Sequence, residues 1–255
     1  MPLLESKKAL IFGVANDHSI AWAIAQALQR EGAELAFTYA GEAIEKRVRP
    51  LAQSLGGDLV LPCDVTKDDE IAAAFGTVRE RWGRVDIVIH AVAFALREEL
   101  KGRFLHTSRA GFQLALDVSA YSLIAIARFA EPLMPAGGSL LTLTYFGAEK
   151  VLPNYNVMGI AKAALEASVR YLAWDLGPQG IRVNAISAGP IRTLSSAGIT
   201  GFKDMLHHHA ERAPLRRNIR PEEVAATAVY LCSDLGSAVT GEVVHADGGY
   251  NIVGM

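Results

Sequence analysis

Two side chains in this sequence have the types and the spacing to act together on a polarised oxygen. Tyr155 and Lys162 stand seven residues apart in Tyr155-Asn156-Val157-Met158-Gly159-Ile160-Ala161-Lys162. If the segment is helical, seven steps turn the chain by about 700° and raise it by about 10.5 Å, which returns both side chains to one face. A lysine side chain leans toward the helix N-terminus and closes part of that gap. A phenol can donate a hydrogen bond to an oxygen that is gaining negative charge, and an ammonium offers three donors to hydroxyl groups nearby. An isolated Tyr and Lys on a helix more often serve the surface or the packing. The pair therefore carries weight only if the fold sets it where a ligand lies.

The elements that must position it can be read from hydrophobic period. Short apolar runs occur at Ala9–Phe12, Glu34–Thr38, Asp58–Leu61, Val85–Ile89, Leu140–Leu143, Arg182–Ile186 and Val243-Val244. Most lack polar alternation, as strands buried on both faces of a parallel sheet do. Between them, apolar residues recur at three and four positions over Ile20–Glu31, Glu42–Leu55, Asp68–Trp82, Ser108–Met134, Tyr155–Leu176 and Pro221–Ser233. Pro221-Glu222-Glu223 puts proline and two carboxylates in a first helical turn, where both are favoured. This strand-then-helix order predicts one α/β domain over residues 1–255: a Rossmann-like, doubly wound parallel sheet of about seven strands with helices on both faces. No interior linker or repeat interrupts it. The stretch from Arg192 to Pro214 is the least regular, and reads as a mobile loop or lid over a site.

In such a fold a dinucleotide binds at the first strand-to-helix turn, here Gly13-Val14-Ala15-Asn16-Asp17-His18-Ser19-Ile20-Ala21. Gly13 permits a tight turn, Ser19 can cap the helix, and the helix N-terminus would hold a pyrophosphate. Only one glycine is present, so spacing alone is also compatible with an ordinary turn. Strand two ends in Thr38-Tyr39-Ala40-Gly41-Glu42, with no Lys or Arg before Lys46. A 2′-phosphate would find no cationic clamp there and Glu42 would repel it, which favours NADH over NADPH, although the usual ribose-binding Asp is missing. Asp64-Val65 after strand three either brackets the adenine or forms a turn.

Composition narrows the classes further. The chain has 255 residues, 51% hydrophobic, and a formal net charge of -2, so neither nucleic acid nor an anionic membrane is expected as a partner. No run approaches the roughly 18 apolar residues of a membrane span. Lys7 and Lys8 precede a short apolar run that ends at Gly13, which fits a buried first strand better than a signal sequence. Cys63 and Cys232 read as packing thiols in a reducing compartment, without disulfide framework or metal cluster. A cytoplasmic globular protein is expected.

The pattern around Tyr155 then becomes specific. In the short-chain dehydrogenase/reductase superfamily, carbonyl-reducing members place Lys four residues after Tyr. The residues four places beyond the seven tyrosines here are Ala43, Ala125, Glu149, Gly159, Asp175, Asp234 and Gly254. None is lysine. The seven-residue spacing instead resembles the enoyl-acyl-carrier-protein reductases of bacteria and plastids. The likeness runs through nearly the whole chain: Gly13–Ala21, Glu31–Tyr39, Asp64-Val65, Leu141–Leu143, Tyr145, Pro153–Met158, Arg182–Thr193 and Gly241–Val244. The resemblance implies hydride transfer from NADH to the β carbon of a trans-2-enoyl thioester on acyl carrier protein, during fatty-acid elongation. It implies that Tyr155 stabilises the thioester oxygen, that Lys162 fixes the nicotinamide ribose, and that Tyr145 is a second active-site tyrosine or an aromatic packing residue. Gly13, Ser19, Ile20, Asp64, Val65, Val92, Ile191 and Thr193 would meet the cofactor. Ala93, Phe94, Ala95, Met158, Phe202 and Met205 would line the substrate side. A homotetramer is implied too, with the helices at Ser108–Met134 and Tyr155–Leu176 as natural interfaces. A carbonyl reductase of the superfamily, or a catalytically silent NAD-binding protein, are the alternatives.

Some positions depart from the family. Where it commonly has His-Ser-Ile-Gly-Phe-Ala, this chain has His90-Ala91-Val92-Ala93-Phe94-Ala95. Ala91 offers no hydroxyl to the cofactor, and Ala93 puts a methyl where glycine gives clearance for flat aromatic ligands. Ala40 replaces a frequent glutamine. His207-His208-His209 reads as a solvated segment, because adjacent helical residues point about 100° apart and cannot converge on one ion. His90 reads as structural. Ile199, Phe202 and Met205 suggest either an amphipathic lid or plain packing. Lys203, Arg212, Arg216 and Arg217 would meet an acidic carrier protein or form surface ion pairs.

Overall fold

The computed structural model describes residues 2–194, 196 and 201–254. Seven strands, Lys8–Phe12 (β1), Glu34–Tyr39 (β2), Leu59–Pro62 (β3), Ile87–His90 (β4), Gly138–Thr144 (β5), Ile181–Ala188 (β6) and Val243–Ala246 (β7), form one sheet in the order β3-β2-β1-β4-β5-β6-β7. Every pairing is parallel. The helices are Ile20–Arg30 (α1), Glu42–Ser54 (α2), Asp68–Trp82 (α3), Arg109–Leu116 (α4), Ser122–Ala130 (α5), Val157–Leu176 (α6), Phe202–Arg212 (α7) and Pro221–Cys232 (α8).

Burial on both faces explains the uninterrupted apolar runs. Along β1, Ala9 and Ile11 face one core with α1, α2 and α8; Leu10 and Phe12 face the other with α3, α5 and α6. All four are fully buried. The chain leaves β1 for β2 on one side and returns through β4 on the other. The crevice between the ends of β1 and β4 is therefore the switch point where doubly wound sheets bind ligands. There Ala91 N–H donates to the Phe12 carbonyl at 3.0 Å.

Three expected elements differ. The helix expected over Ser108–Met134 is α4 and α5 separated by one turn of π-helix at Asp117–Tyr121. This helical run, Arg109–Leu133, is long and apolar enough to cross a membrane by length and composition, but 56% of its apolar window is buried within the fold. The helix expected from Tyr155 begins at Val157, because Asn154 and Asn156 take left-handed φ values of 61° and 38°. Asparagine tolerates that region better than other non-glycine residues. Finally, the irregular stretch from Arg192 to Pro214 contains α7, whose Leu206 and His209 are buried.

Candidate active site

The functional side chains converge because β4, β5 and β6 end at one edge and α1 and α6 begin there. A groove of about 520 Å³ runs along that edge, within the range of small-molecule and cofactor sites. Its lining includes Gly13, Ser19, Ile20, Val92, Ala93, Phe94, Ala95, Tyr145, Tyr155, Met158, Lys162, Ile191, Thr193 and Phe202. An adjoining cavity of about 620 Å³, which shares Ser19, Pro190 and Ile191 with the groove and is otherwise lined by Arg192, Lys203, His207 and Arg220 among others, contains neither tyrosine nor Lys162.

Gly13 decides the shape of one end. Its φ is +99°, and a Cβ there would lie 2.1 Å from the Ala91 carbonyl oxygen. Only glycine fits, so Gly13→Ala should lose about 2–4 kcal/mol of stability from strain and overlap, read as a lowered denaturation midpoint. Beyond it, the N-terminus of α1 opens into the groove at Ser19, Ile20 and Ala21, with first-turn amides that a helix cannot satisfy internally. These amides and the helix dipole suit a pyrophosphate. Ser19 holds the N-cap position but does not cap: its hydroxyl donates to the Asn16 carbonyl at 2.7 Å.

Tyr155 precedes α6, so the pair is not set by two turns of one helix as the spacing suggests. Its ring is seated against Gly147, where a Cβ would stand 2.3 Å from Cδ1, and meets Tyr145 edge-on at 5.2 Å between centroids. Burial first, then the neighbouring Tyr145 and Glu166, raise the Tyr155 phenol well above its ordinary pKa. It stays protonated and can donate a hydrogen bond. Burial likewise raises Tyr145. Lys162, 6% exposed, donates from Nζ to the Leu143 carbonyl at 2.8 Å. Burial lowers its pKa to about 8, with Glu166 acting against that fall.

The remaining expected residues separate into those inside and outside the groove. Asp64 and Val65 do not line it. Asp64 Oδ1 accepts from the Thr66 amide at 3.1 Å and hydroxyl at 2.8 Å, a turn role, and Val65 is buried in the core. Met205 is also outside; its sulfur accepts the Tyr145 hydroxyl at 3.0 Å, which ties α7 to that tyrosine. Ile199 lies outside the described residues. Beyond the end of β2, Lys46 pairs with Glu42 at 2.6 Å and Arg49 with Glu45, while Arg47 has no ion pair among the described residues.

His209 corrects the reading of the histidine tract as solvated. It is 3% exposed and stacks on Tyr250 at 4.9 Å, because it shares the apolar face of α7 with Leu206. Burial lowers its pKa and keeps it neutral. His207 and His208 are exposed, and no metal-binding group exists among the described residues. His90 is structural, held between Thr142 and Ser122 hydroxyls at 2.8 Å each; burial lowers its pKa to about 3. The thiols of Cys63 and Cys232 are buried and pushed up to about 12.

Two contributors escaped the sequence reading. Ser119, in the π turn, accepts from the Phe94 amide at 2.9 Å and donates to its carbonyl at 3.2 Å, fixing the groove wall. Glu166 accepts from Thr144 Oγ1 at 2.6 Å. The signal for each was a polar residue on a face otherwise apolar.

Comparison with known proteins points to one family. A family model described as enoyl-(acyl carrier protein) reductase matches residues 13–251. The NADH-dependent enoyl-acyl-carrier-protein reductase FabI of Bacillus cereus is 57% identical over 256 residues, covering all of both chains. The FabI of Aquifex aeolicus is 54% identical, covering 100% of this chain and 95% of its own. A crystal structure of the Bacillus cereus enzyme with NADP+ and an indole naphthyridinone superposes with a TM-score of 0.98, at 57% identity and full coverage of both chains. The structure of the Anaplasma phagocytophilum enzyme with NAD gives 0.96, at 56% identity over 99% of this chain and 97% of that one.

Proposed function

The chain belongs to the enoyl-(acyl carrier protein) reductase family, and from that membership we propose how its own residues carry out the reaction. It is an NADH-dependent oxidoreductase that reduces the trans-2 double bond of an enoyl thioester in fatty-acid synthesis. The observation that carries the residue assignment is the convergence of Tyr155, Tyr145 and Lys162 on the groove that the α1 N-terminus enters.

The groove fits the cofactor: it has the volume, an anion-binding helix end and a glycine turn that keeps side chains off its floor. Gly13, Ser19, Ile20, Val92, Lys162, Ile191 and Thr193 would hold it. NADH, when bound, supplies the hydride that reaches the β carbon. Hydride addition at the β carbon leaves an enolate whose charge lies on the thioester oxygen, where the Tyr155 hydroxyl donates a hydrogen bond; a proton from water then reaches the α carbon and completes the reduction. Burial keeps the phenol protonated in the free protein, so Tyr155 enters the reaction as a hydrogen-bond donor. Lys162 would grip the ribose hydroxyls and add positive potential. Ala93, Phe94, Ala95, Met158 and Phe202 enclose the acyl side, and Tyr145 braces Tyr155 while bound to Met205 on α7. The engagement of Lys46 and Arg49 by Glu42 and Glu45 supports NADH over NADPH.

Assay of NADH oxidation with a crotonyl thioester tests the assignment. Turnover on this substrate, with slower turnover on NADPH and none on an acetoacetyl thioester, is expected. Activity on the keto substrate alone would make the chain a carbonyl reductase.

The remaining assignments concern partners and place. Exposed Lys203 and Arg212 have no ion-pair partner among the described residues and suit an acidic carrier protein, whereas Arg217 is occupied by Glu223 at 2.6 Å. Tyr171 and Trp174 stand 76% and 84% exposed on α6, which supports the homotetramer that the family resemblance implies, with this helix at an interface. Two free buried thiols support a cytoplasmic setting.

A further inference from the structure

One turn beyond Lys162 on α6 stands a buried carboxylate for which the roles above have no use. Glu166 is 8% exposed. Residues four apart on a helix share a face, with Cβ atoms about 5–6 Å apart. Glu166 Oε1 accepts from the Thr144 hydroxyl at 2.6 Å, and Lys162 Nζ donates to the Leu143 carbonyl at 2.8 Å. Two oppositely charged side chains of α6 thus grip consecutive residues at the end of β5, directly before Tyr145. Burying a carboxylate costs several kcal/mol unless charge and hydrogen bonds compensate. A glutamine would accept the Thr144 bond without that cost. What glutamine lacks is the charge.

We propose that Glu166 is a positioning residue for cofactor binding: its carboxylate, anchored by Thr144, keeps Lys162 protonated in a site whose dryness works against the ammonium. The proposal rests on the reading of Lys162 as the residue that grips the cofactor. Glu166 acts through space, since the two are not in ion-pair contact. Burial pulls Lys162 down and Glu166 opposes the fall. The other groups around the pair come from several elements. His90 on β4 is neutral and feels the charge of Lys162. Burial first, then Glu149 after β5, work against ionisation of Glu166, while its bond from Thr144, His245 on β7 and Arg170 on α6 favour it. Glu149 and His245 are themselves paired at 2.9 Å. Tyr155, protonated, feels the charge of Glu166.

The test is NADH affinity by fluorescence titration across pH, on the full chain. In the unsubstituted protein, affinity should fall as pH rises through about 8. Glu166→Gln should bind equally well at low pH and lose affinity about one pH unit earlier. Thr144→Val, which removes the bond but keeps the charge, should move the fall by less. Lys162→Arg should remove it, because a guanidinium does not titrate in this range. A fall left in place by Glu166→Gln, or moved as far by Thr144→Val, would overturn the proposal. Should Glu166→Gln not fold, Glu166→Asp, which keeps the charge but withdraws it by one methylene, takes its place: the fall should move to lower pH than in the unsubstituted protein, and a fall left in place would overturn the proposal. An unsubstituted chain that binds no NADH at any pH would overturn the reading of the site itself, a separate result.

Discussion

Tyr155→Phe should lower turnover by about 10²–10³-fold, the usual consequence of removing one donor from an oxyanion. The substitution deletes a single oxygen. The ring keeps its seat on Gly147 and its edge contact with Tyr145, so the melting temperature and NADH affinity should stay near those of the parent. Steady-state kinetics with a crotonyl thioester, beside a direct NADH titration, separate the two effects. A variant with parental turnover would remove Tyr155 from the reaction. Because the parent phenol holds its proton far into the alkaline range, no alkaline loss of turnover should trace to Tyr155.

Lys162→Ala should act in the complementary way. It removes a charged donor, and hydrogen bonds to charged groups contribute about 1.5–3 kcal/mol each, so NADH affinity should fall by about ten- to a hundredfold. Turnover at saturating NADH should change less. The sign of the pH dependence follows from the lowered lysine: with a pKa of about 8, Lys162 is cationic at neutral pH and loses its charge above that value. Parental NADH affinity should therefore decline through that range, and the alanine variant should be flat. Equal affinity in both proteins would assign the cofactor grip elsewhere.

How much of this was legible before the fold was known varies with the physics behind each residue. Strand and helix order was open to reading because burial on both faces leaves runs such as Ala9–Phe12 without polar alternation, and seven strands were found where seven runs stood. Tyr155 and Lys162 were legible from their separation, although the reason lay elsewhere. Two left-handed asparagines hold Tyr155 outside α6, and local backbone strain leaves no mark on hydrophobic period. His209 was misread because three adjacent polar residues resemble a solvated run; only the phase set by Leu206 puts one of them inward. Asp64 and Met205 were named from family positions; Asp64 holds a local turn to Thr66, whereas Met205 meets Tyr145 across the fold, a contact that hydrophobic period does not encode. Ser119 and Glu166 needed the tertiary structure, since nothing local says which polar residue on an apolar helix finds a partner.

The π turn at Asp117–Tyr121 has one more consequence. An extra residue in a turn shifts the phase of everything after it. Here α4 sends Ala115 into the small cluster with Leu100, Tyr155 and Met158, while α5 sends Leu123, Ile126 and Ala130 into the core under the sheet. What looks like one rod is two tools on a shared axis, each with its own working edge. A change in volume at Ala115 is felt first beside Tyr155 and Met158, while one at Leu123, Ile126 or Ala130 is felt under the sheet.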